Sequence, residues 1–486
     1  MIAGARRDRW LGAVAPAAAI VAVCAVAVGA MMQLARWPFP LENFEGGCVW
    51  AAKIWAAGSG LYVDGLDGRL PIYNYPPLYV ALIRAFLSAA SPFLAGRVIG
   101  VTSVLALAAL AFAFVRRAGA GRFAAGAAAA AVLLTRDNLL FGPTVRCDAL
   151  AAALSLAGVW VAYRWASARA GLAAAAICVA AWFAKQSAVA APIAVFVWLV
   201  AGDRRAAARF AICYAFMLGG AIALAEAAFH GLFWRNVVDF SLTSYSLPGL
   251  AHQLGKYFQA FWPWRAVPLG GAALGVFAAG RAGWRQSPWP AYFAACALGL
   301  AALGKEGASL FYFFEFHAAC AIGFGLGVSR ISFFDRFAGR TALAGAALCF
   351  AALTAAAQHA MLAGLRAAGD AEAVGLVRAA RGPVLLEDSG YGLLAGAPKL
   401  DLINPFLASR LAARGKFAFA PWIDNVRAGR YALIELDSPA ERPALATRSR
   451  FPDALLRAIA QNYVPAAAAG HGYFYLPKPP GAATAK

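Results

Sequence analysis

The sequence predicts an all-α polytopic membrane protein that ends in a small α/β domain. Three observations carry that expectation. Hydrophobic residues make up 62% of the 486 residues and charged residues only 14%, against roughly 45–50% and about 25% in soluble domains. Apolar stretches of near-membrane length recur from residue 11 to residue 362 and then stop. The net charge of +20 is concentrated in arginine clusters between those stretches, as the positive-inside rule requires. That placement makes the basic balance a topology signal, and no nucleic-acid partner is expected.

The chain opens MIAGARRDRW and runs apolar from Leu11 to Met32. This is too long for a signal-peptide core, so it reads as the first transmembrane helix, with Arg6, Arg7 and Arg9 at its cytoplasmic start. Further apolar stretches follow at 76–91, 97–115, 121–135, 147–165, 170–184, 187–201, 207–229, 265–280, 290–304, 311–328 and 341–362. From 147 onward the segments put Arg164 with Arg169, Asp203-Arg204-Arg205 with Arg209, Arg281 with Arg285, and Arg330 with Arg336 and Arg340 inside. The same path puts Arg136 to Arg146, Lys185-Gln186, the 230–264 loop, Lys305-Glu306 and everything after 362 outside. The count closes only if one of 76–91, 97–115 and 121–135 is re-entrant or interfacial. About eleven crossings result, within a range of nine to thirteen.

After residue 365 acids arrive, among them Asp370, Glu372, Glu387, Asp388, Asp401, Asp424, Glu435, Asp437 and Glu441. PVLLED (383–388) and YALIELD (431–437) read as buried strands. AEAVGLVRAA (371–380) and FLASRLAARG (406–415) have helical spacing, the second closed by Gly415. The expected organisation is a membrane domain over 1–365, with a first extracytoplasmic loop at 33–75. A soluble α/β domain follows over 366–477, and a disordered Pro/Ala-rich tail over 478–486. The protein is thus expected in the cell's inner or plasma membrane, with its N-terminus cytoplasmic and its C-terminal domain extracytoplasmic.

Candidate chemistry sits on the outer side. Glu42 and Glu45 head the first loop, three residues apart and before a short helix with Trp50 and Trp55. They suit a general base or a metal-binding carboxylate, or else an acidic helix start. A Tyr73-Asn74-Tyr75-Pro76-Pro77 turn closes the loop and contributes Tyr73 and Tyr75 as substrate-binding candidates. In PTVRCDALAAAL, Arg146 can hold a phosphate while Asp148 orients it, or the two can serve as a topological charge and a cap. Lys185, followed by Gln186, is either an anion ligand or a snorkelling anchor. Lys305 and Glu306 add further polar candidates, and Glu315 is an intramembrane acid, functional or paired with a buried cation. The eight cysteines form no CxxC and no zinc spacing. No P-loop, strand-borne GxGxxG or HExxH is present, which weighs against ATP-driven transport and nucleotide-cofactor chemistry.

Four stretches together resemble the GT-C superfamily of membrane glycosyltransferases, nearest to its protein O-mannosyltransferase and aminoarabinose-transferase type (family 39-like). They are FEGGCVWAAKIWAAGSGLY with YNYPPLYVALI, then RCDALAAALSLAG, FAKQSAVAAP and KEGASLFYFFE. The likeness spans about residues 38–328, and the tail is similar to the soluble part of such proteins. It implies a GT-C-like membrane fold and an inverting enzyme that uses a polyprenyl-phosphate-linked sugar. It implies an envelope glycan, lipid or protein as acceptor, in contact with membrane lipid. A first-loop carboxylate serves as base, directly or with a divalent cation, and no other cofactor is implied. Glu45 occupies that carboxylate position, and Arg146 and Lys185 are the phosphate candidates. Relatives often carry adjacent Asp-Glu, whereas Phe44 precedes Glu45 here and Glu42 stands as the second carboxylate. Two rival readings are a lipid-linked-sugar flippase, which internal repeats would favour, and a noncatalytic envelope-assembly subunit.

Overall fold

The computed structural model describes residues 2–64, 73–88, 91–165, 167–259, 262–280, 283–396, 404–441 and 451–479. Part of the first loop (65–72), Asp401 and the terminal segment from 480 lie outside the described residues. The chain divides into two compact units.

The first unit comprises 1–36, 97–224 and 243–359 and is a helical bundle. Five helices among the described residues are long and apolar enough to cross a membrane, beginning at Val14, Leu94, Arg204, Leu310 and Ala338. Shorter apolar helices, such as Arg122–Leu134 and Ala190–Gly202, fill the spaces between them. Small residues set the packing. A Cβ on Gly271 would lie 2.5 Å from the Cys320 carbonyl, and one on Gly275 would lie 2.6 Å from the Gly323 Cα. Helices Trp262–Ala279 and Phe313–Val328 therefore meet backbone to backbone, as small-residue stripes allow in lipid.

Side-chain contacts orient the bundle. Ile20 abuts Gly126, and Val23 packs with Ala130 and Ala351, so the first helix runs parallel to Arg122–Leu134 and to Phe337–Ala367. Arg117 covers the Tyr163 ring at 5.2 Å, and Arg340 covers Phe123 at 5.8 Å. Tyr163 also packs against Trp198, whose Nε1 donates to the Arg285 carbonyl. One end of the bundle thus gathers Arg116, Arg117, Arg122, Arg164, Arg285, Arg330 and Arg340. Helix Asp148–Trp165 runs from that end to the other, about 27 Å at 1.5 Å per residue. Asp148 and Lys185 therefore mark the opposite end.

The second unit comprises 37–96, 225–242 and 360–486. Its sheet has strand order β1-β2-β4-β3, with β1 Val384–Leu386, β2 Leu433–Leu436, β3 Tyr463–Ala469 and β4 Gly472–Pro477. β1 and β2 are parallel and the other two pairings antiparallel. Leu385, Ile434 and Tyr475 face a core with Trp422, Val426 and Ile459. Val384, Leu386, Leu433 and Phe474 face another with Val374, Val377 and Tyr391. The period-2 alternation splits the apolar residues between two helix-covered faces, so β1 and β2 are fully buried. The apolar runs at 383–388 and 431–437 contain β1 and β2. The hairpin β3–β4 has no counterpart in the sequence reading. Its signal was the GYFYLP run after the Gly470 turn, where φ is +61°.

The first loop is built into this unit. Helix Phe44–Ala56 meets the 388–390 turn so closely that a Cβ on Gly46 would lie 2.3 Å from the Gly390 nitrogen. Trp50 Nε1 donates to the Ser389 carbonyl at 3.1 Å, and Asn43 Nδ2 donates to both Asp437 carboxylate oxygens, at 2.9 and 2.7 Å. Of the three early apolar stretches, 76–91 holds the shortest helix, Leu78–Ala85. Eight residues span about 12 Å, well short of a hydrocarbon core of ~30 Å.

Candidate functional site

In the second unit, Glu45 lies in the first turn of its helix, is fully buried, and accepts a hydrogen bond from the Leu41 N–H at 2.6 Å. The helix starts at Phe44, earlier than the sequence suggested, so it takes in Glu45, while Glu42 precedes it and its carbonyl accepts from the Glu45 N–H at 3.1 Å. The Tyr-rich turn packs against the helix start: Tyr75 meets Phe44 edge-on at 5.6 Å and Tyr73 at 5.8 Å. Asn74 is held by reciprocal bonds with Ser241.

The sequence left Asp239 unremarked. It accepts from Arg414 and Lys416 within the same unit. The Lys416 hydrogen bond holds its carboxyl below the usual value. A cationic pair from the turn that follows helix Pro405–Ala413 thereby fastens the 225–242 segment.

Glu435 is the most unusual acid. It is fully buried, and its Oε2 accepts from the N–H groups of Glu387 and Asp388, each at 2.9 Å. Burial pushes its carboxyl well above the ordinary range, reinforced by Asp437, Asp388 and Glu387.

In the first unit, three of the candidates converge. Lys185 Nζ donates to Asp148 Oδ1 at 2.5 Å and Arg146 Nε to Asp148 Oδ2 at 3.1 Å. The side chains of Asp148 and Lys185 are 2% and 8% exposed. One carboxylate is shared by two cations, which leaves the cluster with a net positive charge. Both cations also lie on aromatic faces, Arg146 over Phe311 at 3.7 Å and Lys185 over Tyr312 at 3.9 Å. The convergence follows from the fold: Asp148 opens one helix, and Lys185 closes the next at its C-cap. A cavity of about 280 Å³ adjoins the cluster, lined by Asp148, Lys185, Ser187, Tyr312 and Glu315 among apolar residues. Glu315 Oε1 accepts from the Tyr292 hydroxyl at 3.4 Å. Gln186 is half-buried in the turn that follows Lys185.

Lys305 and Glu306 lie against the 244–245 segment. Glu306 accepts from Ser244 Oγ at 2.8 Å, its N–H donates to the Ser244 carbonyl at 2.9 Å, and Lys305 pairs with Tyr245 in a short antiparallel bridge. These contacts tie two loops together. A second buried network escaped the sequence reading. Arg265 donates to both oxygens of Asp137, at 2.6 and 3.3 Å, and covers the Tyr257 ring. His317 Nε2 lies 3.0 Å from the Tyr257 hydroxyl. Its signal was the lone arginine in the apolar WPWRAVP stretch.

Among the described residues no three His, Cys, Asp or Glu side chains gather as a ligand set, and one Glu45 oxygen already accepts from Leu41.

The fold has counterparts among solved structures. The chain is similar to ArnT from Cupriavidus metallidurans bound to undecaprenyl phosphate, with TM-score 0.65 at 14% identity over 94% of this chain and 97% of that one. It is similar to the Archaeoglobus fulgidus oligosaccharyltransferase in complex with Zn and sulfate, with TM-score 0.55 at 13% identity over 94% and 73%. It is also similar to AglB from Archaeoglobus fulgidus in complex with an inhibitory peptide and a dolichol-phosphate, with TM-score 0.52 at 14% identity over 94% and 74%. No protein-family model and no curated protein matches the sequence. The chain has the GT-C fold that both neighbours share.

Proposed function

We propose that the protein is an inverting membrane glycosyltransferase that moves a sugar from a polyprenyl-phosphate donor to a cell-envelope glycan, lipid or protein. The observation that carries this reading is the buried Arg146–Asp148–Lys185 cluster beside an apolar cavity. The GT-C fold supports it.

The chemistry has two requirements. The acceptor hydroxyl must lose a proton as its oxygen bonds to the anomeric carbon. In the same displacement the bond from that carbon to the phosphate oxygen breaks, and its electron pair leaves with the polyprenyl phosphate, which gains one negative charge. Positive charge aimed at that oxygen is worth most where charge develops. Arg146 and Lys185 supply it, with Asp148 holding both heads in place as a positioning residue. Gln186 belongs to the same turn. Glu45, in the loop position that the resemblance assigns to the base, takes the proton. Glu42 is the second carboxylate, and the Tyr73–Tyr75 turn shapes the loop for substrate. No step requires a metal ion.

The arginine-rich end of the bundle is assigned to the cytoplasm, which puts the Arg146–Lys185 end and the C-terminal domain, residues 366–477, outside. The chain then crosses about eleven times, with the 76–91 segment partial.

The decisive experiment complements a deletion strain with wild type, Glu45→Gln and Lys185→Met and reads the envelope glycan profile. Loss of one glycosylated component with each variant, at normal membrane abundance, is expected. Full complementation by Glu45→Gln sinks its role as the base. Reporter fusions at residues 205 and 370 check the topology, and a cytoplasmic signal at 370 overturns it.

A further inference from the structure

At the arginine-rich end of the first unit lies a second cavity, of about 320 Å³, unrelated to the Arg146–Lys185 cluster. Its walls are the 118–124 turn and the 328–340 segment. Arg330 and Arg340 line it together with Ser329, and among the described residues no acid lines it. Phe123 and Val328 add apolar side chains to a lining that is otherwise largely polar. Arg340 is held in place by its Nε bond to the Phe334 carbonyl at 3.1 Å and by the Phe123 ring. Arg116 braces the opposite wall by donating to the Ala120 carbonyl at 2.7 Å. The helix Arg122–Leu134, thirteen residues long, begins at this rim, so its first N–H groups add a positive end to the wall.

Among the described residues, none of Arg116, Arg117, Arg122, Arg330 and Arg340 is paired with a carboxylate. This contrasts with Arg146, Lys185, Arg265, Arg414 and Lys416, each of which contacts one. A pocket with two guanidiniums, a hydroxyl and a few apolar side chains, at the end of membrane-length helices, is complementary to a phosphate on a glycerol backbone.

We propose that this pocket binds the headgroup of an anionic phospholipid of the surrounding leaflet. The phosphate sits between Arg330 and Arg340, and the glycerol backbone lies over Phe123 and Val328. The ligand is a membrane lipid because the pocket opens where the membrane-length helices Leu94–Arg117 and Leu310–Val328 end, the level at which lipid headgroups lie. Basic pockets between membrane helices at one leaflet take such headgroups in general. The inference rests on the first unit alone and stands whether or not the chain transfers a sugar.

The full chain, purified in detergent and reconstituted in nanodiscs, tests it. Native mass spectrometry and thermal stability are compared with phosphatidylglycerol, with phosphatidylcholine and with added inorganic phosphate. Wild type is expected to retain and be stabilised by phosphatidylglycerol selectively. Arg330→Gln weakens that retention about fivefold, the increment of one arginine near an anionic surface. Arg330→Gln/Arg340→Gln removes the selectivity. Arg330 is exposed, and its backbone bond to the Gly327 carbonyl survives a side-chain change, so the single variant decides the matter if the double variant misfolds. Unchanged lipid selectivity in Arg330→Gln overturns the proposal. So does equal stabilisation by phosphatidylcholine, or by inorganic phosphate in place of lipid.

Discussion

Replacing Lys185 with methionine separates the structural from the chemical work of the Arg146–Asp148–Lys185 cluster. In wild type the Asp148 carboxylate, 2% exposed, has Lys185 Nζ at 2.5 Å on one oxygen and Arg146 Nε at 3.1 Å on the other. Coulomb's law at an effective dielectric of about 20 gives about 7 kcal/mol for unit charges 2.5 Å apart. Desolvation of both ions offsets most of that, and removing one partner of a buried pair costs about 3–5 kcal/mol. Arg146 still satisfies the second oxygen, so the expected loss is near the lower limit, about 3 kcal/mol. Asp148→Asn/Lys185→Met removes both members of the pair and should cost less than the sum of the two single losses, by a coupling of about 1.5 kcal/mol for residues in direct contact. Sugar transfer should behave differently and stay lost in the double variant, because the cation for the departing phosphate is gone. Equilibrium unfolding in mixed micelles, followed by tryptophan fluorescence, reads the stability arm, and the envelope glycan profile reads the other. Simple additivity of the two stability losses refutes the shared-carboxylate argument. Recovery of transfer in the double variant refutes the phosphate role of Lys185.

Two further outcomes are expected. Gly46→Ala places a Cβ 2.3 Å from the Gly390 nitrogen and 2.7 Å from Ser389 Oγ. Since backbone cannot step aside as a side chain can, the helix carrying Glu45 must shift, at a cost of about 1–3 kcal/mol. A lowered melting temperature together with lost transfer is expected, and an unaltered melting temperature contradicts the close packing. Glu435 titrates in the folded state well above its ordinary value because it is buried among Glu387, Asp388 and Asp437. The folded state thus holds a proton that the unfolded chain releases near pH 4.3, so stability falls as pH rises from about that value toward the raised folded pKa. Glu435→Gln should remove that slope and be the more stable form at about pH 7. Thermal melts of both proteins between about pH 5 and pH 8 check the sign, and a wild-type advantage that grows with pH reverses it.

Much of the fold was legible from local sequence. Hydropathy and arginine placement mark a membrane chain because each segment's cost of entering lipid is set by its own residues. The strands at 384–386 and 433–436 and the helix ending before Gly415 follow from local pattern in the same way. The hairpin β3–β4 was missed because an Ala/Pro-rich strand has no apolar alternation to detect.

The candidate residues divide along the same line. Glu45, Arg146 and Lys185 stand out in sequence because charge is rare in apolar surroundings. Sequence alone left Arg146 and Asp148 open as a mere cap and topological charge, and Lys185 open as a snorkelling anchor. Tertiary structure decided that Asp148 is the shared counter-ion of both cations, one of them 37 residues away. It brought Lys305 and Glu306 against Ser244 and Tyr245, and closed Arg265 on Asp137 across 128 residues. It also joined the first loop to the C-terminal sheet through Gly46, Trp50 and Asn43. The reason is one of range. Hydropathy and charge act residue by residue and can be read along the chain, whereas the partner of a buried charge is set by which helices pack together.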